Sequence, residues 1–157
     1  EAGVAAGCRD HNNNPITHDQ RGTARPQGAR CDIGALEFDN SVPVVVSVTR
    51  LDGNPTQAAS VRFLVTFSEA VSGVDAPNDF ALVQSGVSNA AVTQVVSAGD
   101  HLTHTVTVST GTGGGSLRMN VIDNNSIADF AGNGIVGGFT GGETYSIDRP
   151  LFASGFE

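Results

Sequence analysis

The chain has no lysine, no tryptophan and only one tyrosine among its 157 residues. Without lysine, neither a phosphate-binding Walker loop nor Schiff-base catalysis is available. Eight arginines oppose 16 acidic residues, so the formal charge is −8 and the pI is near 4.7. Such a chain is repelled by nucleic acids and anionic membrane surfaces. Since no run of about 18 apolar residues occurs, we also expect no membrane span.

What is present is typical of an all-β protein. Hydrophobic residues make up 39% of the chain, charged residues only 15%, and glycine occurs 20 times. Serine, threonine and valine are abundant, which favours short strands joined by turns over long helices. A chain of this length can bury one core of about 100–150 residues and still carry extensions.

The clearest strand signal lies at residues 59–69. Its apolar residues occupy alternate positions, and one apolar residue, Leu64, falls out of step. The alternating set is Val61, Phe63, Val65 and Phe67, with Arg62, Thr66 and Ser68 on the opposite side. This period of two predicts a strand with one buried face. We interpret it as the central strand of a β-sandwich.

Six further segments have strand character. They are 44–51, 79–83, 90–97, 101–109, 116–122 and 143–148. The alternation in the last two segments predicts that their inward residues are Leu117, Met119, Val121, Tyr145 and Ile147. Seven short strands at this spacing are typical of an immunoglobulin-like β-sandwich, which we place at residues 41–149. The tryptophan and the disulfide of antibody domains are missing from this region, so a true antibody-type domain is not indicated.

The flanking segments differ from this region. Residues 1–40 are polar, hold both cysteines and have too few apolar residues for a core of their own. Within them, 31–38 is predicted as a short strand. Because the chain begins at Glu1 without a leader, we expect it to be the C-terminal piece of a longer protein. Residues 150–157 form a separate tail.

One family resemblance lies in the N-terminal segment. The residues His18-Asp19-Gln20-Arg21-Gly22, Arg25-Pro26 and Cys31-Asp32-Ile33-Gly34-Ala35-Leu36-Glu37 resemble the "D-x-R-G … R-P … C-D-I-G-A-x-E" ending of bacterial choice-of-anchor Q proteins. Those are surface or secreted proteins built around right-handed parallel β-helices. The resemblance implies that residues 1–40 are the C-terminal end of such a β-helix.

A second resemblance covers the strand-rich region. Val65-Thr66-Phe67-Ser68-Glu69-Ala70-Val71 and Asp129-Phe130-Ala131-Gly132-Asn133 are similar to the "V-x-F-S-E-x-V" and "D-x-A-G-N" patterns of bacterial immunoglobulin-like repeats in adhesins. The ending Phe152-Ala153-Ser154-Gly155-Phe156-Glu157 resembles a terminal tag on some proteobacterial secreted proteins. These resemblances imply an extracellular or cell-surface location.

Together they imply a non-catalytic module of a larger β-helix protein. Its role would be that of a spacer or of an adhesive domain that binds carbohydrate or a host or cell-surface protein. The alternative is an accessory domain of a β-helix polysaccharide lyase or hydrolase whose catalytic part lies upstream. Within this chain we expect no catalysis.

The two cysteines, Cys8 and Cys31, enclose 22 residues. If oxidised, they would stabilise the segment by about 3 kcal/mol on the chain-entropy model. Free thiols in a cytosolic protein are the alternative, but the resemblance to surface proteins favours the disulfide. A zinc site is disfavoured because four soft ligands at suitable spacing are missing.

Histidine and aspartate occur together twice. Asp10, His11, His18 and Asp19 could form a catalytic or metal cluster, but capping of the last β-helix coil is favoured. His101 and His104 are three residues apart on a predicted strand, which would point them to opposite faces, so they would not chelate one ion. We expect a hydrogen-bonded histidine at the surface and a half-buried one.

Two sets of loop residues are the remaining candidates for a binding site. Residues 111–116 resemble a nucleotide-binding glycine loop, but Ser116 replaces its last glycine and a strand follows, which favours a flexible hairpin loop. Calcium is the one cofactor that the sequence leaves open, with Glu69, Asp79, Asp123 and Asp129 as candidate ligands. The region 123–129 lacks the EF-hand pattern, and aspartate and asparagine are also common turn formers.

Overall fold

The structure, a computed structural model, describes residues 8–10, 12, 14–18, 22, 24, 41–75 and 77–149. The chain divides into two compact units, Glu1–Val42 and Pro43–Glu157. In the described residues all regular secondary structure is β, and there is no helix long and apolar enough to cross a membrane.

The second unit contains nine strands among its described residues. They are β1 (Val45–Arg50), β2 (Ser60–Phe67), β3 (Val71–Ser72), β4 (Phe80–Ser85), β5 (Ala91–Ser97), β6 (Thr103–Ser109), β7 (Gly115–Val121), β8 (Ala128–Asp129) and β9 (Thr144–Ile147). All of their pairings are antiparallel. One sheet has the order β1-β2-β6-β5 and another the order β4-β7-β9, while β3 and β8 form a short ribbon.

Both larger sheets contribute to one apolar core, as in a β-sandwich. The predicted inward residues of the central strand are buried: Val61, Phe63, Val65 and Phe67 are all at most 2% exposed, whereas Leu64 is half-buried. The opposite sheet supplies the predicted inward residues of its own strands, Leu117, Met119, Val121, Tyr145 and Ile147. The strand alternation in the sequence therefore identified the core correctly.

All seven predicted strands form, with ends shifted by a few residues, and two short strands were missed. β3 and β8 are only two residues long and have no local periodicity that could reveal them. β6 begins at Thr103 rather than at the predicted residue 101 because His101 has a positive φ of 56° and belongs to the preceding turn. As a result Leu102 is 36% exposed and does not share the buried face of β6.

The described part of the first unit is a tight loop. Arg9 and Pro15 form an antiparallel bridge, and Ile16 N donates to Cys8 O at 2.8 Å. The predicted strand at 31–38, most of the predicted β-helix ending and the tail at 150–157 lie outside the described residues.

Candidate functional site

The candidate site lies at the end of the sandwich where β2 ends and β6 begins. Phe67 N donates to Leu102 O at 2.9 Å, which brings the turn before β6 next to the end of β2. Ile122 N donates to Asp79 O at 2.8 Å, so the loop after β7 meets the start of β4. We call this region the turn end. Of the four predicted calcium ligands, Glu69, Asp79 and Asp123 lie in its loops, and Asp129 ends β8.

Asp79 joins two of these loops. Its side chain is completely buried, and its carboxylate accepts hydrogen bonds from Asp75 N, from Asn124 Nδ2 at 2.9 Å and from Ser126 Oγ at 2.6 Å. A buried carboxylate needs such donors to replace its lost hydration. Asp79 therefore fixes the loop after β7 against the loop before β4.

Asp129 holds the turn that follows β8. It is 6% exposed and accepts hydrogen bonds from Ala131 N and Asn133 N at 2.8 Å, and from Asn133 Nδ2 at 2.8 Å. Burial alone would raise the pKa of Asp129, but the hydrogen bonds from Asn133 and from the backbone of Ala131 and Gly132 outweigh it, so the pKa lies below the ordinary value of 3.8. The carboxylate stays charged and the turn stays closed.

The other two predicted calcium ligands are arranged differently. Asp123 is exposed and accepts hydrogen bonds from Asn125 N at 3.3 Å and Gly137 N at 2.9 Å, and Glu69 is half-buried just beyond β2. In the described part of the chain, no three acidic, histidine or cysteine side chains converge as a metal site would require. Asp79, Asp123 and Asp129 accept hydrogen bonds from N–H and O–H donors. This is the turn-forming role that the sequence analysis gave as the alternative to calcium binding. Calcium binding stays a prediction.

Beside the Asp129 turn, two aromatic rings meet at the surface. The ring of Phe130 is 67% exposed, and its centroid lies 5.3 Å from that of His101 in an edge-to-face arrangement. His101 is held from three sides: its N–H donates to Ala98 O, its C=O accepts from Val71 N, and its Nδ1 lies 3.2 Å from Ser97 Oγ. We call His101, Leu102 and Phe130 the His–Phe patch.

The Ser97–His101 contact resembles the pair that activates a serine nucleophile, but its hydrogen bonding differs. Ser97 Oγ also donates its proton to Ala98 O at 3.1 Å. When the hydroxyl proton is given to Ala98 O, Nδ1–H is the donor to the hydroxyl oxygen, and the contact then supports the turn instead of activating the serine.

His104 corrects one expectation. The sequence predicted that one of the two histidines is half-buried, but His104 is only 3% exposed, and its Nδ1 has no hydrogen-bond partner among the described residues. Its ring packs edge-to-face on Phe67, with centroids 5.5 Å apart. Burial, and to a smaller extent the charge of His101, lowers the pKa of His104 below 6.5, with Asp100 acting in the opposite direction. His104 is a neutral member of the core, and the two histidines have different surroundings.

The glycine-rich segment is also not what the sequence predicted. Residues 110–114 connect β6 to β7, which belong to different sheets, so they do not form a hairpin. The segment packs closely on the β4–β5 connection, where Ser88 and Thr112 form a bridge. Gly111 has φ 58°, and a Cβ there would lie 2.0 Å from Ser88 O. Glycine is needed for this close approach, and the strand that follows agrees with the rejection of a nucleotide loop.

The candidates in the first unit are only partly described. Asp10 accepts hydrogen bonds from Asn14 Nδ2, Asn14 N and Asn12 N, which lower its pKa. Its capping of a β-helix coil stays a prediction. His18 is exposed and pairs with Thr17 Oγ1 at 3.0 Å. Cys8 is buried and is not a free cysteine. Its pairing with Cys31 stays a prediction because Cys31, like His11 and Asp19, lies outside the described residues.

Sequence reasoning found the aspartates of the turn end but overlooked the His–Phe patch. A signal existed: Phe130 is a large apolar residue inside a turn motif, where it has no strand partner to cover it. Comparisons of the chain with protein-family models, with curated proteins and with solved structures found no match.

Proposed function

We propose that residues 41–149 are a non-catalytic immunoglobulin-like module of a larger secreted or surface bacterial protein, and that residues 1–40 end a β-helix that precedes it. The strand order supports this proposal. Labelled A to G, the seven longer strands have the order A-B-E-D in one sheet and C-F-G in the other. That is the order of constant-type immunoglobulin domains.

We further propose that the module binds a carbohydrate through the His–Phe patch. The observation that carries this is the exposure of Phe130, 67%, on a turn that Asp129 holds closed. A ring exposed to this degree has an unfavourable contact with water that a ligand can remove. Because the turn is already fixed, binding costs little ordering entropy. A flat apolar ring with a neighbouring imidazole suits the apolar face and the hydroxyl edge of a sugar.

A glycan array probed with the whole 157-residue chain tests this function. We expect saturable binding to at least one bacterial or host polysaccharide, and Phe130→Ala should weaken it at least about tenfold, equivalent to ~1.4 kcal/mol. Val136→Ala is the matched control because Val136 is 71% exposed but is not part of the patch. Its binding should equal that of the parent chain.

Other outcomes point to other roles. If the parent chain binds no glycan, the carbohydrate proposal is wrong, and a spacer or a protein-binding module remains. If Phe130→Ala binds as well as the parent chain, the patch is not the binding site. Binding restricted to polyuronates would favour the accessory domain of a polysaccharide lyase or hydrolase.

A further inference from the structure

One side of the sandwich leaves two sheet edges open. β4 is the outer strand of the three-stranded sheet and β5 is the outer strand of the four-stranded sheet. No described residue pairs with the outer edge of either strand. Among the described residues, the one hydrogen bond that links the two edges runs from Ala90 N, just before β5, to Gln84 Oε1 at 3.0 Å. We call this the open side.

The two edge strands of the open side and the connection between them contain no charged residue. Residues 80–99 include both strands and their connection, and they contain no acidic or basic residue and no histidine, although Asp79 and Asp100 directly flank them. Proteins commonly guard sheet edges with charges, proline or a bulge. β5 has a bulge between Val92 and Gln94. β4 has none of these guards, and its pairing with β7 is regular throughout.

The register of β4 shows which of its backbone groups face outward. The bond from Ile122 N to Asp79 O makes Phe80 and Val121 a non-hydrogen-bonded pair. Since such pairs alternate with hydrogen-bonded pairs along an antiparallel ladder, Leu82 and Gln84 turn their N–H and C=O groups away from β7. Between them Val83, on the outer face of the sheet, is 44% exposed.

We propose that β4 pairs with β4 of a second copy of this chain, antiparallel, about a two-fold axis at Val83. In this register Leu82 lies opposite Gln84 of the partner subunit, and Gln84 lies opposite the partner subunit's Leu82. Each of these two pairs forms two backbone hydrogen bonds, which makes four. Val83 lies opposite its own copy in a non-hydrogen-bonded position, where side chains are closest. The two three-stranded sheets become one sheet of six strands.

The occupant is a second copy because the edge is complementary to itself. A two-fold contact places the residues near its axis beside their own copies, so a charge near Val83 would meet its like. β4 has no charge, and the flanking stretch to residue 99 has none either. The rest of the molecule, with its net charge of −8, repels a second copy. Salt screens that repulsion, so we expect a weak dimer that strengthens as ionic strength rises.

Analytical ultracentrifugation of the whole chain, from micromolar to millimolar concentration and in low and high salt, tests the dimer. Val83→Lys places two ammonium groups across the axis and should weaken dimerisation at least about tenfold. Val96→Lys is the matched control, since Val96 is a 50% exposed valine on the other open edge, β5. It should dimerise like the parent chain.

Cross-linking provides a second measurement that does not depend on tolerance of a lysine. Val83→Cys should form a disulfide-linked dimer on oxidation, and Val96→Cys should not. The proposal is overturned if the parent chain stays monomeric at millimolar concentration in high salt, as it would if the edge received only a strand of another protein. It is also overturned if Val83→Lys dimerises like the parent chain, or if Val96→Cys cross-links as readily as Val83→Cys.

Discussion

The two sides of the sandwich differ in how many hydrogen bonds link the two sheets. On the side of β1 and β9, which we call the closed side, backbone bonds cross from sheet to sheet: Glu143 N donates to Val48 O at 3.0 Å, Thr56 N donates to Ser146 O at 2.9 Å, and Asp148 N donates to Thr56 O at 2.8 Å. On the open side, the described residues supply one link between the sheets, from Ala90 N just before β5 to the Gln84 side chain of β4. The closed side leaves little free edge, whereas the open side leaves two strands available.

The charged residues are also distributed unequally between the two sides. On the closed side Arg50 N and Nε contact Glu143, and Arg62 Nη2 lies 2.7 Å from Asp52 Oδ1. The crossing is also close: a Cβ at Gly142 would lie 2.9 Å from Met119 O and 3.1 Å from Val48 Cβ. Residues 80–99 on the open side have no charge at all. The chain therefore guards one side against pairing and leaves the other side suited to it.

The largest expected difference between the sides comes from Tyr145, on β9. Its hydroxyl accepts from Leu51 N and Asp52 N and donates to Arg62 O, at 3.1, 2.9 and 2.7 Å. Leu51 N also donates to Arg62 O, so Tyr145→Phe leaves Asp52 N as the group without a partner. We expect a loss of about 1–3 kcal/mol in the free energy of unfolding, measured by urea denaturation.

Val83→Ala, on the open side, is the control for this change. In dilute solution it should alter the free energy of unfolding by no more than about 0.5 kcal/mol, because an exposed residue of an edge strand makes few contacts. Equal losses in the two variants would remove the distinction between the sides.

A smaller difference in stability is expected when the side chain that forms a hydrogen bond across each side is removed. Glu143 accepts from Arg50 N at 2.7 Å on the closed side, and Gln84 accepts from Ala90 N on the open side. Glu143→Ala removes a hydrogen bond to a charged acceptor and should cost about 1–1.5 kcal/mol. Gln84→Ala removes an exposed neutral one and should cost at most about 0.5 kcal/mol. If thermal melts in low salt give Gln84→Ala a lower Tm than Glu143→Ala, the hydrogen bond on the open side contributes more to stability than the one on the closed side.

The strands and the core could be predicted because their signal is local. Val61, Phe63, Val65 and Phe67 alternate along one strand, and a period of two needs no knowledge of the partner. Tyr145 was recognised as inward-facing for the same reason. β3 and β8 could not be found in this way, since each is two residues long and Val71 pairs with the distant Asp129.

The candidate site was less predictable because it depends on which loops meet. The aspartates of the turn end were visible, but whether Asp79 binds a cation or a neighbouring loop depends on Asn124 and Ser126, 45 and 47 residues away. The exposure of Phe130 and the burial of His104 depend likewise on distant neighbours. The charge-free stretch at 80–99 is visible in the sequence, but only the strand order shows that it forms both open edges.

The smallest expected effect is a difference in pH response. His104 pairs in register with Ser97 of β5, next to the open side, and its folded pKa is below 6.5 because of burial. The stability that it contributes is complete above that pH and is lost as the pH falls from about 6.5 through the folded pKa. On the closed side the hydrogen bond from Arg62 lowers the pKa of Asp52 below 3.8, so its contribution is lost only below about pH 4.

Thermal melts across this pH range can therefore separate the two sides. His104→Leu should flatten the fall in Tm between pH 7 and 5, because it removes the buried group that must be protonated there. Asp52→Asn should keep that fall and weaken the further loss below about pH 4, which Asp129 shares because its pKa is also lowered. His18→Gln, at an exposed histidine of the first unit, should change neither. A fall between pH 7 and 5 that persists in His104→Leu would mean that the acid-sensitive group lies elsewhere.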